Sequence, residues 1–340
     1  MSFVKSNGGT LAIAIIVVTA LFFGSFLIGQ YPIEPLKVLN IIGSHIFGFE
    51  CTEPSMAQTI VWKVRLPRII SALIVGGALA VAGAVYQSLF KNPMVSPDIL
   101  GATSGAGFGA ALAILLSLPY FFIQVNAFTF GLAAVGIAYG ICSCVSKGKD
   151  ALLMLILGGM IVSTLFSSFV TLIKYVADPD SKLPEITYWL MGTLSTTSLK
   201  DVLFLLPPVC IGLAPIFALR WKLNAMAFGD EEASAMGLNV KALRAVFIFC
   251  ATLLASASVA VAGMIGWIGL IIPHMTRFIV GPNCKDLIPM SFIVGGGFLL
   301  ILDNFCRNLF TVEIPLGILT SIIGAPFFFY LLYKRSKENY

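Results

Sequence analysis

Charge is what this chain has least of. Only 11% of its 340 residues are Asp, Glu, Lys or Arg, and it has 2 histidines. The net charge of +5 is spread over separate segments rather than gathered into a basic stripe, which excludes nucleic acid as a partner. No Gly-rich run leads into Lys-Ser or Lys-Thr, so there is no phosphate-binding loop for ATP. Paired carboxylates, a Ser-His arrangement and clustered metal ligands are all missing, so the residues suggest neither an enzyme site nor a metal site. The 7 cysteines are scattered, and Cys142-Ser-Cys144 lacks metal-site spacing, so they read as packing residues. No small-x-small cleavage site precedes Tyr31-Pro32, so the first apolar run reads as an uncleaved span.

Apolar sequence fills the space that charge leaves. Hydrophobic residues make up 58% of the chain, and the mean hydropathy is +0.97. A soluble fold of this length has too little interior to hide that surface. The runs are continuously apolar rather than alternating, which argues for helices and against a β-barrel, because lipid-embedded backbone must satisfy its own hydrogen bonds. We read one polytopic all-α membrane domain over residues 1–340, with about ten spans. They lie near 11–29, 64–89, 100–118, 122–145, 151–176, 199–219, 243–265, 268–280, 287–302 and 314–333. With the N-terminus inside, 13 of the 21 lysines and arginines fall on the inner side, which favours cytoplasmic termini. Ala80-Val81-Ala82-Gly83 recurs as Ala260-Val261-Ala262-Gly263, late in spans two and seven. An inverted repeat of spans 2–5 and 7–10 explains the recurrence, as does coincidence.

Four local patterns stand out. Arg65 and Arg68 share one face of a helix start, and Arg307 closes the ninth span on the same side. They read either as arginines snorkelling to the interface or as a cationic rim for acidic groups of an external protein. Residues 222–241 form a polar inner segment. In it Asp230 is expected to cap a short helix, Glu231 and Glu232 occupy its first turn, and Gly237 ends it. Its Ala233 and Met236 are available to a groove on a cytoplasmic partner. Gly76, Gly77, Ala80, Gly83, Gly101, Gly105 and Gly109 indicate close helix packing. Gln87, Asn92, Pro93, Met94 and Asp98 make a polar turn at the inner end of span two, read as a plain turn or as a gate. His274 reads as structural, and the outer segment 31–59 with Glu50, Cys51 and Glu53 is unexplained.

Together these motifs resemble the permease subunits of ABC importers for ferric siderophores, haem and cobalamin, the type II importer fold. The resemblance rests on RLPR at 65–68, GALAVAGAVYQSLFKNPMVSPDILG at 77–101, YWLMGTLS at 188–195, GDEEASAMGL at 229–238, GWIGLIIPHMTRFIVG at 266–281 and EIPLGILTSIIGAPFFFYLL at 313–332. It implies a permease in a prokaryotic inner membrane, working as a homodimer with two cytoplasmic ATPase subunits and an extracytoplasmic substrate-binding protein. By resemblance Arg65, Arg68 and Arg307 dock that protein. Residues Gly229, Asp230, Glu231, Glu232, Ala233 and Gly237 couple to the ATPase, and Asn92 and Met94 lie at the inner gate. Met94 stands where Leu is commoner. The chain itself is expected to bind no cofactor, with ATP and Mg used by the partner. Cargo stays open, since some such permeases carry oxyanions such as molybdate. The competing readings are an ion-coupled secondary carrier, which the scarcity of mid-span carboxylates disfavours, and a non-transporting scaffold.

Overall fold

The computed structural model describes residues 7–145, 151–309 and 312–338. Lys5, Lys147 and Lys149, three of the 13 inner lysines and arginines counted above, lie outside them. Among the described residues fourteen α-helices run in the order α1 (Asn7–Ser25), α2 (Pro35–Phe47), α3 (Ser55–Thr59), α4 (Leu66–Leu89), α5 (Ala102–Leu115), α6 (Tyr120–Val145), α7 (Ala151–Val176), α8 (Lys182–Met191), α9 (Leu199–Phe228), α10 (Asp230–Ala235), α11 (Val240–Ala262), α12 (Ile268–Val280), α13 (Cys284–Asn308) and α14 (Leu316–Glu338). Seven segments are long and apolar enough to cross a bilayer, and three shorter apolar helices, α5, α12 and the apolar part of α14, complete the ten expected spans among the described residues.

Helix lengths repeat along the chain. Helices α4 to α7 have 24, 14, 26 and 26 residues, and α11 to α14 have 23, 13, 25 and 23. Both halves therefore follow a long helix with a short one and then two long ones, which is the pattern an inverted repeat requires. The two leading helices form the core. The windows around α4 and α11 are 83% buried, against 28% for α6, α7 and α9.

Small residues let the core backbones touch. A Cβ on Gly83 would lie 1.8 Å from the Gly269 carbonyl oxygen of α12, and one on Gly76 would lie 2.3 Å from that of Gly295 on α13. Only hydrogen fits at such crossings, so the close-packing reading of span two holds. At the Gly192 junction the Thr193 N–H donates to the Ala262 carbonyl at 2.8 Å, and the Leu316 N–H donates to the Gly192 carbonyl at 2.8 Å. These bonds tie the α8–α9 link to the end of α11 and the start of α14.

One expectation changes, and two segments gain detail. The sixth span continues nine residues past 219 to Phe228, despite Pro207, Pro208 and Pro215 inside it. Its far end is held by Asn224, which donates to Asn283 Oδ1 at 2.9 Å and accepts from the Cys284 N–H at 2.8 Å. The eighth span, α12, begins beside Gly83, part-way along α4, rather than at one end of the bundle. The outer segment 31–59 is partly helical. It carries α2, whose His45 stacks on Trp62 with ring centroids 4.4 Å apart.

Candidate functional site

The charges and polar turns singled out above gather at the two ends of the bundle. At one end lie the arginines. Residues 60–65 form one wide π turn that leads into α4. Such insertions re-aim side chains within a helix. Here Arg65 turns inward and donates to the carbonyls of Phe26 and Tyr31, just past α1. Arg68 makes two carboxylate pairs. Its Nε donates to Asp303 Oδ1 and Oδ2 at 2.9 and 3.0 Å, and its Nη1 donates to Glu313 Oε1 and Oε2 at 3.0 and 2.9 Å. Arg307 Nε lies 3.3 Å from Asp303 Oδ2, one helical turn away on α13. Arg307 also donates to Asn304 Oδ1, while Asn304 donates to Ser25 Oγ at 2.8 Å.

The free cationic rim is corrected by this geometry. Arg65, Arg68 and Arg307 are only 3, 3 and 6% exposed. Arg68 and Arg307 are paired within the chain, and Arg65 is met by carbonyls. They are not snorkelling arginines either, because their heads point into the protein. Two guanidinium groups, those of Arg68 and Arg307, face the carboxylates of Asp303 and Glu313, and buried charge persists only with such partners. Glu313 is the accessible member, with its side chain 34% exposed. Sequence reasoning missed Asp303 and Glu313. The one local signal was the Asp303-x-x-x-Arg307 spacing, which puts opposite charges on one helix face.

The other end holds α10. Its first turn carries Asp230, Glu231 and Glu232, as expected. Asp230 does not cap the helix, however. Gly229 occupies the N-cap, and Asp230 instead accepts from Arg244 Nη2 on α11, at 2.7 Å to each carboxylate oxygen. Gly237 ends the turn with φ +80°, a conformation that glycine tolerates best, while the Leu238 N–H donates to the Ala233 carbonyl at 3.1 Å. Ala233 is fully buried, so it is not offered to a partner, whereas Met236 and Phe228 are 55 and 75% exposed. The segment 222–241 therefore narrows to α10 and its flanks, since residues up to Phe228 belong to α9.

The Gln87–Met94 turn splits by role. Gln87 is buried, so it does not front a passage. Its Nε2 donates to the carbonyls of Gly269 and Leu270 at 3.3 and 3.1 Å, and its Oε1 accepts from Arg277. It thereby clamps α12 to α4. Asn92 Oδ1 accepts from the Met94 N–H at 3.0 Å, so its side chain shapes the turn. Met94 itself stands 45% exposed. His274 lies edge-on to Phe278 at 5.1 Å. Among the described residues no group of three or more His, Cys, Asp or Glu could hold a metal.

A fourth feature escaped the sequence reading. On α7 the exposed Thr164, Ser167, Ser168 and Thr171 interrupt an otherwise apolar surface. Thr164, Ser168 and Thr171 donate to the carbonyls of Met160, Thr164 and Ser167 at 2.9, 2.9 and 3.0 Å. Ser167 Oγ lies 3.5 Å from Ser104 Oγ on α5.

Comparison with known proteins agrees with this architecture. The chain is 39% identical over 323 residues to the molybdate import system permease protein MolB of Haemophilus influenzae, covering 95% of this chain and 94% of that one. It is 36% identical over 326 residues to a protein of Helicobacter pylori named as a probable iron chelatin transport system permease, covering 95 and 96%. A solved inward-facing structure of a metal-chelate type ABC transporter superimposes with a TM-score of 0.86 at 37% identity, covering 96% of this chain and 99% of that one. Residues 15–334 match the model of the FecCD transport family. With the match running along nearly its whole length, the chain belongs to that family as an ABC importer permease.

Proposed function

We propose that this chain forms the membrane pathway of an ATP-driven importer as one of a pair of identical permeases, with the Asp230 end toward the cytoplasm. Two separate ATPase subunits seat on α10, and a substrate-binding protein delivers cargo to the Arg68 end. The observation that carries this reading is the construction of α10. A short helix with exposed acidic and apolar tips is tied to the core helix α11 by the Asp230–Arg244 pair. Force on its tip would therefore reach the centre of the bundle instead of dissipating in a loop. Nucleotide binding and hydrolysis would favour different bundle arrangements in turn, and the cargo would pass by the difference. The hydroxyl-bearing face of α7 suits the wall of that passage, since each oxygen retains acceptor capacity beyond the bond it donates.

Docking at the Arg68 end takes a particular form. Because the guanidinium groups are buried, a carboxylate of the binding protein reaches Arg68 only by replacing Glu313. Arg65 and Arg307 then support the site from beneath.

For cargo we favour a metal chelate of the siderophore, haem or cobalamin class, on the strength of the metal-chelate type structure. Molybdate is the second reading, supported by the similarity to MolB. The test of assembly is cross-linking. A cysteine at Met236 should form a disulfide with a cysteine-scanned ATPase subunit encoded beside this chain. Cross-linking that occurs only from the Arg68 end would reverse the orientation and overturn the proposal.

A further inference from the structure

We propose that the crevice between α6 and α11 binds one glycerophospholipid, with an acyl chain in its apolar length and the phosphate at Lys241 and Arg244. This rests on the chain spanning a membrane; it shares Arg244 and α10 with the ATPase reading but is tested on the chain alone. Two cavities meet there. An apolar one of about 370 Å³ is lined by Gly136 on α6 and by Ala245, Ile248 and Phe249 on α11, among others. A larger one, of about 810 Å³ and carrying charged groups, is lined by Lys241 and Arg244 together with Asp230 and Glu232 of α10. Tyr139 lines both, so they form one trough.

The trough follows from residue spacing. On α11, positions 241, 244, 245, 248, 249 and 252 fall on one face, and on α6 so do 132, 135, 136, 139, 142 and 143. On α11 the charged Lys241 and Arg244 sit at one end of the stripe, and on α6 the same cavity is reached by Cys142 and Ser143, while the apolar positions lie at the other end. Gly136 leaves room in the apolar part, since a Cβ there would meet nothing within 4 Å.

An unfilled apolar trough on a membrane helix pair must be covered by hydrocarbon, and a lipid tail is the hydrocarbon at hand. Basic pockets between membrane helices hold lipid headgroups. The headgroup can be narrowed. Carboxylates of α10 line the same cleft as the two cations, so a second anionic charge is disfavoured and an ammonium is welcome. A primary ammonium can donate hydrogen bonds to those carboxylates and a trimethylated one cannot. The structure thus favours phosphatidylethanolamine over phosphatidylcholine.

The experiment is native mass spectrometry of the delipidated full-length chain titrated with each of these two lipids. One phosphatidylethanolamine should bind per chain more tightly than phosphatidylcholine. Gly136→Leu fills the trough and should weaken binding by about tenfold, through displaced methylenes. Lys241→Gln should weaken it by about fivefold. Ala245→Leu fills the trough from the α11 side and repeats the test if the first variant folds poorly. Equal binding of the two lipids overturns the headgroup assignment. Undiminished binding in both trough-filling variants overturns the site itself.

Discussion

Arg68 and Asp303 lie 235 residues apart in the chain yet meet through two hydrogen bonds of 2.9 and 3.0 Å, with side chains 4 and 0% exposed. The pair joins the first long core helix, α4, to α13, the second long helix of the second half. It is the centre of a network that also draws in Arg307, Glu313 and, through Asn304, the end of α1.

Removing one charge from that centre should be costly. Asp303→Ala leaves Arg68 without its main partner and strips Arg307 of its carboxylate. Breaking a buried pair in this way costs about 3–5 kcal/mol. Thermal unfolding in detergent should show a large loss, and an apolar double replacement, Arg68→Met with Asp303→Leu, should recover part of it. A double variant no better than the worse single one would mean that the pair is not coupled.

Glu313 tests the docking account. Glu313→Gln removes the carboxylate that covers Arg68 Nη1 but leaves Asp303 in place. Affinity for the binding protein should rise several-fold, since the incoming carboxylate no longer competes, and the gain should shrink at high salt. Surface plasmon resonance on nanodisc-embedded protein reads this directly. Unchanged affinity in both Glu313→Gln and Arg68→Gln would place docking elsewhere.

The α10 lever has a reciprocal test. Asp230→Arg should separate α10 from α11 and lower transport per ATP hydrolysed, with the ATPase subunit still bound. Arg244→Asp should do the same. The charge-swapped double variant should recover coupling if the pair itself matters, because the swap keeps the ion pair. Equal defects in all three would assign the effect to bulk at α10.

Two glycines should behave in opposite ways. At Gly83 a methyl group would lie 1.8 Å from the Gly269 carbonyl oxygen, so Gly83→Ala should prevent normal packing of α12 on α4. At Gly136 a methyl group meets open space. Gly136→Ala should leave stability unchanged or raise it by up to about 1 kcal/mol, the helix preference of alanine. Melting temperatures of the two variants check the contrast.

Several elements were legible because they depend only on local pattern. The fifth and eighth spans read from apolar runs coincide with α7 and α12, and the glycine close to the end of the acidic segment does terminate α10. The partners of the arginines were not legible. Apolar periodicity shows which face a helix buries, but not which carboxylate 245 residues away will meet Arg68 there. The snorkelling and docking readings both assumed heads at the surface. The π turn before α4, which swings Arg65 inward, has no pattern of its own. Helices α2 and α8 were also missed, because short amphipathic helices outside the spans lack the continuous apolar run that marks a crossing.

The most direct test of the central claim is cargo uptake into proteoliposomes. They should hold this chain with its neighbouring ATPase subunit, be supplied with the binding protein outside, and contain ATP. Uptake of a metal chelate or molybdate should require ATP and the ATPase subunit, should survive collapse of ion gradients, and should fail in Asp230→Arg. Uptake driven by an ion gradient in vesicles lacking the ATPase subunit would contradict the account.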